Sequence, residues 1–236
     1  MPQSSTPERT APLGGYFRAV AAIVWKDLAA EFRSKELLNA MVVFSLLVIL
    51  VFSFALELER GTREAVAAGV LWTTFLFAGT LGLNRSLAQE KDRGSLDGLL
   101  LAPMDRSALF FGKALGNLIF MTVVEAILLP VASVLFNLPL LQPLLLVVVF
   151  LGTVGYAGVG TLLASIAVNT RGRDMMLPIL LFPVALPLLM AAVRASGNIL
   201  AANGWDTIVP WLNLLLVYDV IFIAIALMTF EHLVEE

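Results

Sequence analysis

The chain has 236 residues, 59% hydrophobic and 14% charged, with a formal net charge of -3 and a mean hydropathy of +0.91. A soluble domain is about a quarter charged, so the solvent of a chain this apolar is largely lipid. With no cysteine and a single histidine, His232 near the C-terminus, disulfides, thiolate sites and Cys nucleophiles are excluded, and no catalytic or metal-binding residue is expected.

Residues 1–15 are rich in Pro, Ser and Thr and read as a disordered tail. No apolar run follows a basic start, so no cleaved signal peptide is expected. Over residues 16–36, Phe17, Val20, Val24, Leu28 and Phe32 recur at helical spacing with charges on the other faces. Trp25 suits an interface, and Glu31 and Lys35 stand four apart as an ion pair would. This pattern predicts an amphipathic helix lying on the cytoplasmic membrane surface, with a juxtamembrane extension of the first span as the alternative.

Residues 37–236 then read as a six-helix transmembrane domain, making the chain an all-α membrane protein. Apolar runs near 37–56, 65–83, 114–136, 144–168, 175–193 and 208–230 are each long enough to cross about 30 Å of hydrocarbon. They must be helical, because backbone groups in lipid need partners within the segment. The glycines of 152–160 offer a small face for close helix contact. Pro178, Pro183 and Pro187 point either to a bent or discontinuous fifth span, as beside a pathway, or to a shaped helix packed on its neighbours. Glu125 and Asp219 are the acids that fall well inside spans. An ionised carboxylate is costly there, so each is either part of a proton or substrate path or a hydrogen-bonding group between helices. For Asp219 the candidate partners are Tyr218 and Asn213.

Lys and Arg divide unevenly between alternate loops. The N-terminal region, residues 85–113 and the turn after the fourth span hold 12, while the loops 57–64, 137–143 and 194–207 hold 3. The positive-inside rule therefore predicts both termini and residues 85–113 in the cytoplasm.

Residues 85–113, RSLAQEKDRGSLDGLLLAPMDRSALFFGK, are a charged island between two apolar runs. A short helix over 86–93 is expected to stop at Gly94. Ser95 can cap a second, carrying Leu96, Leu99 and Leu100 on one side and ending at Pro103. Ser107 can cap the entry to the third span. Short helices with a few apolar knobs describe a docking element for a soluble partner.

The spacing Glu90-x-x-x-Gly94-Ser95-Leu96-x-x-Leu99-Leu100-x-x-Pro103, followed by Gly112-Lys113, resembles the intracellular coupling loop of ABC-2-type transporter permeases. The resemblance implies that Glu90, Gly94, Ser95, Leu96, Leu99, Leu100 and Pro103 contact an ABC ATPase subunit. The chain carries no Walker A motif, so ATP would bind that partner. Over residues 33–55, the acidic loop ending at Glu64, the island and residues 169–189, the chain resembles the B subunit of the haem exporter of cytochrome c maturation. That family implies a non-catalytic permease subunit in the bacterial inner membrane. Its partners would be an ATPase A subunit, membrane subunits C and D, a haem chaperone released by ATP, and a second copy of itself, with no nucleic acid. No resident cofactor is assigned to this chain; haem is a candidate substrate. Arg60, Arg63 and Arg194 are candidates to pair with haem propionates, and Met121, Met190, Tyr156 and Tyr218 are the ligating side chains considered within spans. An ABC-2 permease for another hydrophobic substrate, a proton-coupled carrier using Glu125 and Asp219, and a membrane scaffold stay open beside this reading.

Overall fold

The structure, a computed structural model, describes residues 13–55, 60–92, 106–167, 170 and 173–233. Those residues form seven helices and no strand: α1 (Leu13–Ser34), α2 (Glu36–Ala55), α3 (Arg60–Asp92), α4 (Arg106–Phe136), α5 (Pro143–Ala167), α6 (Arg173–Leu200) and α7 (Trp205–Leu233). Each of α2 to α7 contains a stretch long and apolar enough to cross a membrane.

The helices are not equivalent. About 72% of the apolar window of α3 and 67% of that of α5 is buried inside the chain, against 22% for α2 and for α7. The bundle is therefore built around α3 and α5, with α2 and α7 at its margins. α3 packs against α2, α4, α5 and α6, and α5 against α4, α6 and α7 as well. The glycines of α5 explain its central place. A Cβ on Gly152 would run into the Trp72 ring, and one on Gly160 into Leu83. In lipid, where helices gain little by leaving their solvent, close backbone approach supplies the packing energy.

Several boundaries differ from those the sequence suggests. The N-terminal helix ends at Ser34, because Lys35 takes a left-handed conformation with φ 52° and α2 starts directly after it. Glu31 does not serve the expected pair with Lys35. Its Oε1 accepts from the Leu38 amide at 2.9 Å, and so caps the exposed N–H groups of α2. The expected loop over 85–113 shortens, since α3 runs on to Asp92 and α4 begins at Arg106. The separate short helix expected at 86–93 is the last part of α3, and Arg85 pairs there with Glu36. α6 is one continuous helix through Pro178, Pro183 and Pro187, and it extends past Arg194 to Leu200. The loop that follows covers only residues 201–204.

The turn at 137–142 falls where its Pro-rich sequence puts it. Asn137 adopts φ 52°, and the Leu138 amide bonds back to the Ser133 carbonyl at 3.2 Å, the usual way to finish a helix. The turn after α6 has the same form. There Ala202 takes φ 52° and the Asn203 amide reaches the Asn198 carbonyl at 3.0 Å.

Candidate functional site

One face of α4 carries Lys113, Asn117, Met121 and Glu125, four residues apart and so one above another along the helix. Each polar member meets a partner on another helix. Lys113 Nζ lies 2.8 Å from Asp27 Oδ2 on α1. One turn deeper, Asn117 Nδ2 donates to Thr161 Oγ1 on α5 at 2.9 Å. Two turns deeper still, the Thr153 hydroxyl of α5 donates to Glu125 Oε1 at 2.6 Å. α4 and α5 are antiparallel neighbours, so running forward along α4 from 117 to 125 matches running backward along α5 from 161 to 153. A seam of buried polar groups thus runs between the two helices. Satisfied polar contacts hold helices in lipid without the cost of an orphaned group.

At the third level of the seam the polar partner is on α3. Tyr156 Oη is 2.7 Å from Thr80 Oγ1 and donates to the Leu76 carbonyl at 2.8 Å. Nearby, Trp72 Nε1 donates to Ser196 Oγ of α6 at 2.9 Å. A cavity of about 10 Å³ lies among Trp72, Phe75, Met121, Glu125, Thr153 and Tyr156. That is close to the least space that holds one water. The site is a packed polar junction of α3, α4, α5 and α6 with one carboxylate on its wall.

The two intramembrane acids do not share a site. Glu125 engages Thr153, whereas Asp219 faces the notch of Gly155, where a Cβ would strike its carboxylate. Positions 153 and 155 point to roughly opposite sides of α5. Asp219 is buried, and among the described residues neither of its oxygens has a hydrogen-bond partner. Tyr218 is not that partner: its hydroxyl donates to the Val184 carbonyl of α6 at 3.0 Å. Asn213 faces outward. Both tyrosine hydroxyls considered as haem ligands, on Tyr156 and Tyr218, are thus committed to backbone carbonyls. Met121 is buried and Met190 exposed.

Glu90 lies in the last turns of α3, with its side chain outside the description, and Gly94, Ser95, Leu96, Leu99, Leu100 and Pro103 lie outside the described residues. Arg60 and Arg63 stand in the first turn of α3, their side chains likewise outside the description. Arg194 is exposed on α6. Thr153, Asn117, Thr161, Trp72, Ser196 and the Asp27–Lys113 pair were not singled out from the sequence. The signal for the seam is there, in the spacing of Lys113, Asn117 and Glu125, but counting Lys113 with the preceding loop hides it.

A bundle of six apolar helices, built on glycine-mediated contacts, sealed inside by hydrogen bonds and joined to an amphipathic N-terminal helix, defines a multi-pass integral membrane protein. The chain belongs to the CcmB protein family, which it matches over residues 18–235. It is similar to Heme exporter protein B of Paracoccus denitrificans, with 29% identity over 74% of this chain and 80% of that protein. Heme exporter protein B of Rhodobacter capsulatus is 30% identical over 72% of this chain and 78% of its own length. The Pseudomonas aeruginosa protein of the same name is 27% identical over 73% and 78%.

Proposed function

We propose that this chain is the membrane-spanning, non-catalytic subunit of a haem exporter acting in cytochrome c maturation in the bacterial inner membrane. The observation that carries the reading is the family match over nearly the whole chain, with relatives named for haem export. In this reading both termini and residues 85–113 face the cytoplasm, in line with the excess of Lys and Arg in the N-terminal region, in 85–113 and in the turn after the fourth span, and α1 lies on the cytoplasmic membrane surface. An ATPase subunit binds at residues 93–105 through Leu96, Leu99 and Leu100, with Gly94, Ser95 and Pro103 shaping the turn and Glu90 beside it. Its closure displaces α3 and α4, the helices that flank the segment. Two copies of the chain complete a transporter, and further membrane subunits hand haem to a chaperone that ATP hydrolysis releases on the outer face. Arg60, Arg63 and Arg194 are the candidate contacts for haem propionates.

Purification of the tagged chain in mild detergent at physiological salt tests this. The ATPase should co-purify with the wild-type chain, and Leu96→Asp or Leu99→Asp should abolish that association while the chain stays in the membrane. Wild-type cytochrome c assembly in both variants removes residues 93–105 from the mechanism. Unimpaired assembly in a strain lacking this chain removes the haem reading as a whole.

A further inference from the structure

The charges of α1 are sorted in a way the sequence does not display. The helix holds three basic residues, Arg18, Lys26 and Arg33, and two acidic ones, Asp27 and Glu31, a formal balance of only 3 − 2 = +1. Both acids are turned into the protein. Asp27 is bonded to the buried Lys113, and Glu31 caps α2. All three basic residues are exposed, with Lys26 also 3.4 Å from Asp27. The charge that α1 shows to its surroundings is therefore wholly positive.

The apolar residues are sorted too. Val20 and Ile23 are buried, and Ile23 fills the notch left by Gly112 on α4. Phe17, Trp25 and Phe32 remain 67%, 73% and 68% exposed. At 3.6 residues per turn these groups fall into three strips, each roughly a third of a turn from the next. One strip, with Ile23 and Asp27, packs on α4. The second carries Phe17, Trp25 and Phe32, the third Lys26 and Arg33, and Arg18 stands on the border between these two, seven residues before Trp25. A helix lying on a bilayer beside the bundle, aromatic strip down, would hold its basic strip at the level of the lipid phosphates. α1 is also continuous with the membrane, because one residue, Lys35, separates it from the first span.

We propose that α1 is a binding surface for anionic phospholipid, in which Arg18, Lys26 and Arg33 engage headgroup phosphates while Phe17, Trp25 and Phe32 enter the acyl boundary. Aromatic residues alone would anchor the helix to any lipid; the basic strip, with both acids withdrawn, makes it select negative charge. The inference rests on the placement of α1 at the membrane surface.

The test places the full-length chain in nanodiscs of mixed phosphatidylcholine and phosphatidylglycerol at fixed ratio, with brominated acyl chains on one lipid or the other. Quenching of Trp25, taken as the difference between wild type and Trp25→Phe, reports which lipid lies against the helix. The expected result is stronger quenching by brominated phosphatidylglycerol, corresponding to a local enrichment on the order of a hundredfold for three basic groups acting together. The preference should shrink at high salt and vanish in the triple variant R18Q/K26Q/R33Q. Equal quenching by the two lipids in the wild type overturns the headgroup selectivity and leaves the surface placement standing. No quenching by either overturns both. A preference kept in full by the triple variant assigns it to other residues and also overturns the proposal.

Discussion

Gly152→Ala puts one methyl group where α5 meets the Trp72 ring. Two effects oppose each other. Alanine is the better helix former by about 1 kcal/mol. Against that, the new carbon overlaps the far edge of the indole, and overpacking of this kind costs about 1–3 kcal/mol. Trp72 cannot simply swing away. Its Nε1 is bonded to Ser196, and its ring packs edge-on against Phe75 at 5.8 Å. Moving it forfeits a buried hydrogen bond of about 0.5–1.5 kcal/mol. The net expectation is a loss of about 1–3 kcal/mol. The atoms in the way belong to the six-membered ring beyond the reach of a phenylalanine, so Trp72→Phe should make room for the methyl even though it forfeits the Ser196 bond itself. Pulse proteolysis along a titration of SDS into mixed micelles measures all four corners of the cycle. The double variant should be more stable than the sum of the singles by at least about 1 kcal/mol. Additivity within about 0.3–0.5 kcal/mol, or a Gly152→Ala chain as stable as the wild type, would refute the close α3–α5 contact.

Three further expectations follow from the same packing. Ala202→Gly should raise the melting temperature, by about 0.5–1 kcal/mol in stability, because a side chain at φ 52° carries a strain that glycine lacks; an unchanged or lower melting temperature speaks against the left-handed turn. Gly112→Val should push α1 off α4 through Ile23. A cost of about 1–3 kcal/mol makes tryptic cleavage within α1 roughly tenfold faster, and Ile23→Ala in the same chain should slow it again; cleavage at the wild-type rate in Gly112→Val contradicts the docking. Lys113→Met leaves Asp27 without its 2.8 Å partner. Breaking a fully buried pair costs about 3–5 kcal/mol, but Asp27 is partly exposed and Lys26 lies 3.4 Å away, so about 1–2 kcal/mol is expected from SDS unfolding. Adding Asp27→Asn should recover most of that loss, and no recovery would mean that Lys113 stabilises by its stem alone.

Hydropathy made the six spans legible, because lipid forces each apolar run into a helix long enough to cross it. The ends were less legible. α3 continues to Asp92 through a charged stretch, since a helix leaving the membrane needs no apolar residues to persist. Three prolines left open whether α6 is discontinuous or a single shaped helix, and the helix runs through them without a break. Between Pro183 and Pro187 the Val184 carbonyl accepts a hydrogen bond from Tyr218 of α7. Glu125 could be singled out as a buried acid from its position alone. Its partner Thr153 could not, because a threonine in an apolar run has no signature until the facing helix is known. The same holds for Asp27, which reads as one more charge on an amphipathic face until Lys113 is brought to it.

The length of two helices has a mechanical corollary. α3 has 33 residues and α4 has 31, so each is about 45–50 Å long, well beyond about 30 Å of hydrocarbon. They are struts rather than mere spans. A helix unbroken from Asp92 to Arg60 cannot be tilted at one end without sweeping its other end the opposite way. Trp72, far down that strut and bonded to Ser196 on α6, would move with it. Lys113 stands in the second turn of the neighbouring strut and would carry α1 along. A push at one rim of the bundle would thereby reach the opposite rim and α1 at once, with no residue between them needing to unfold.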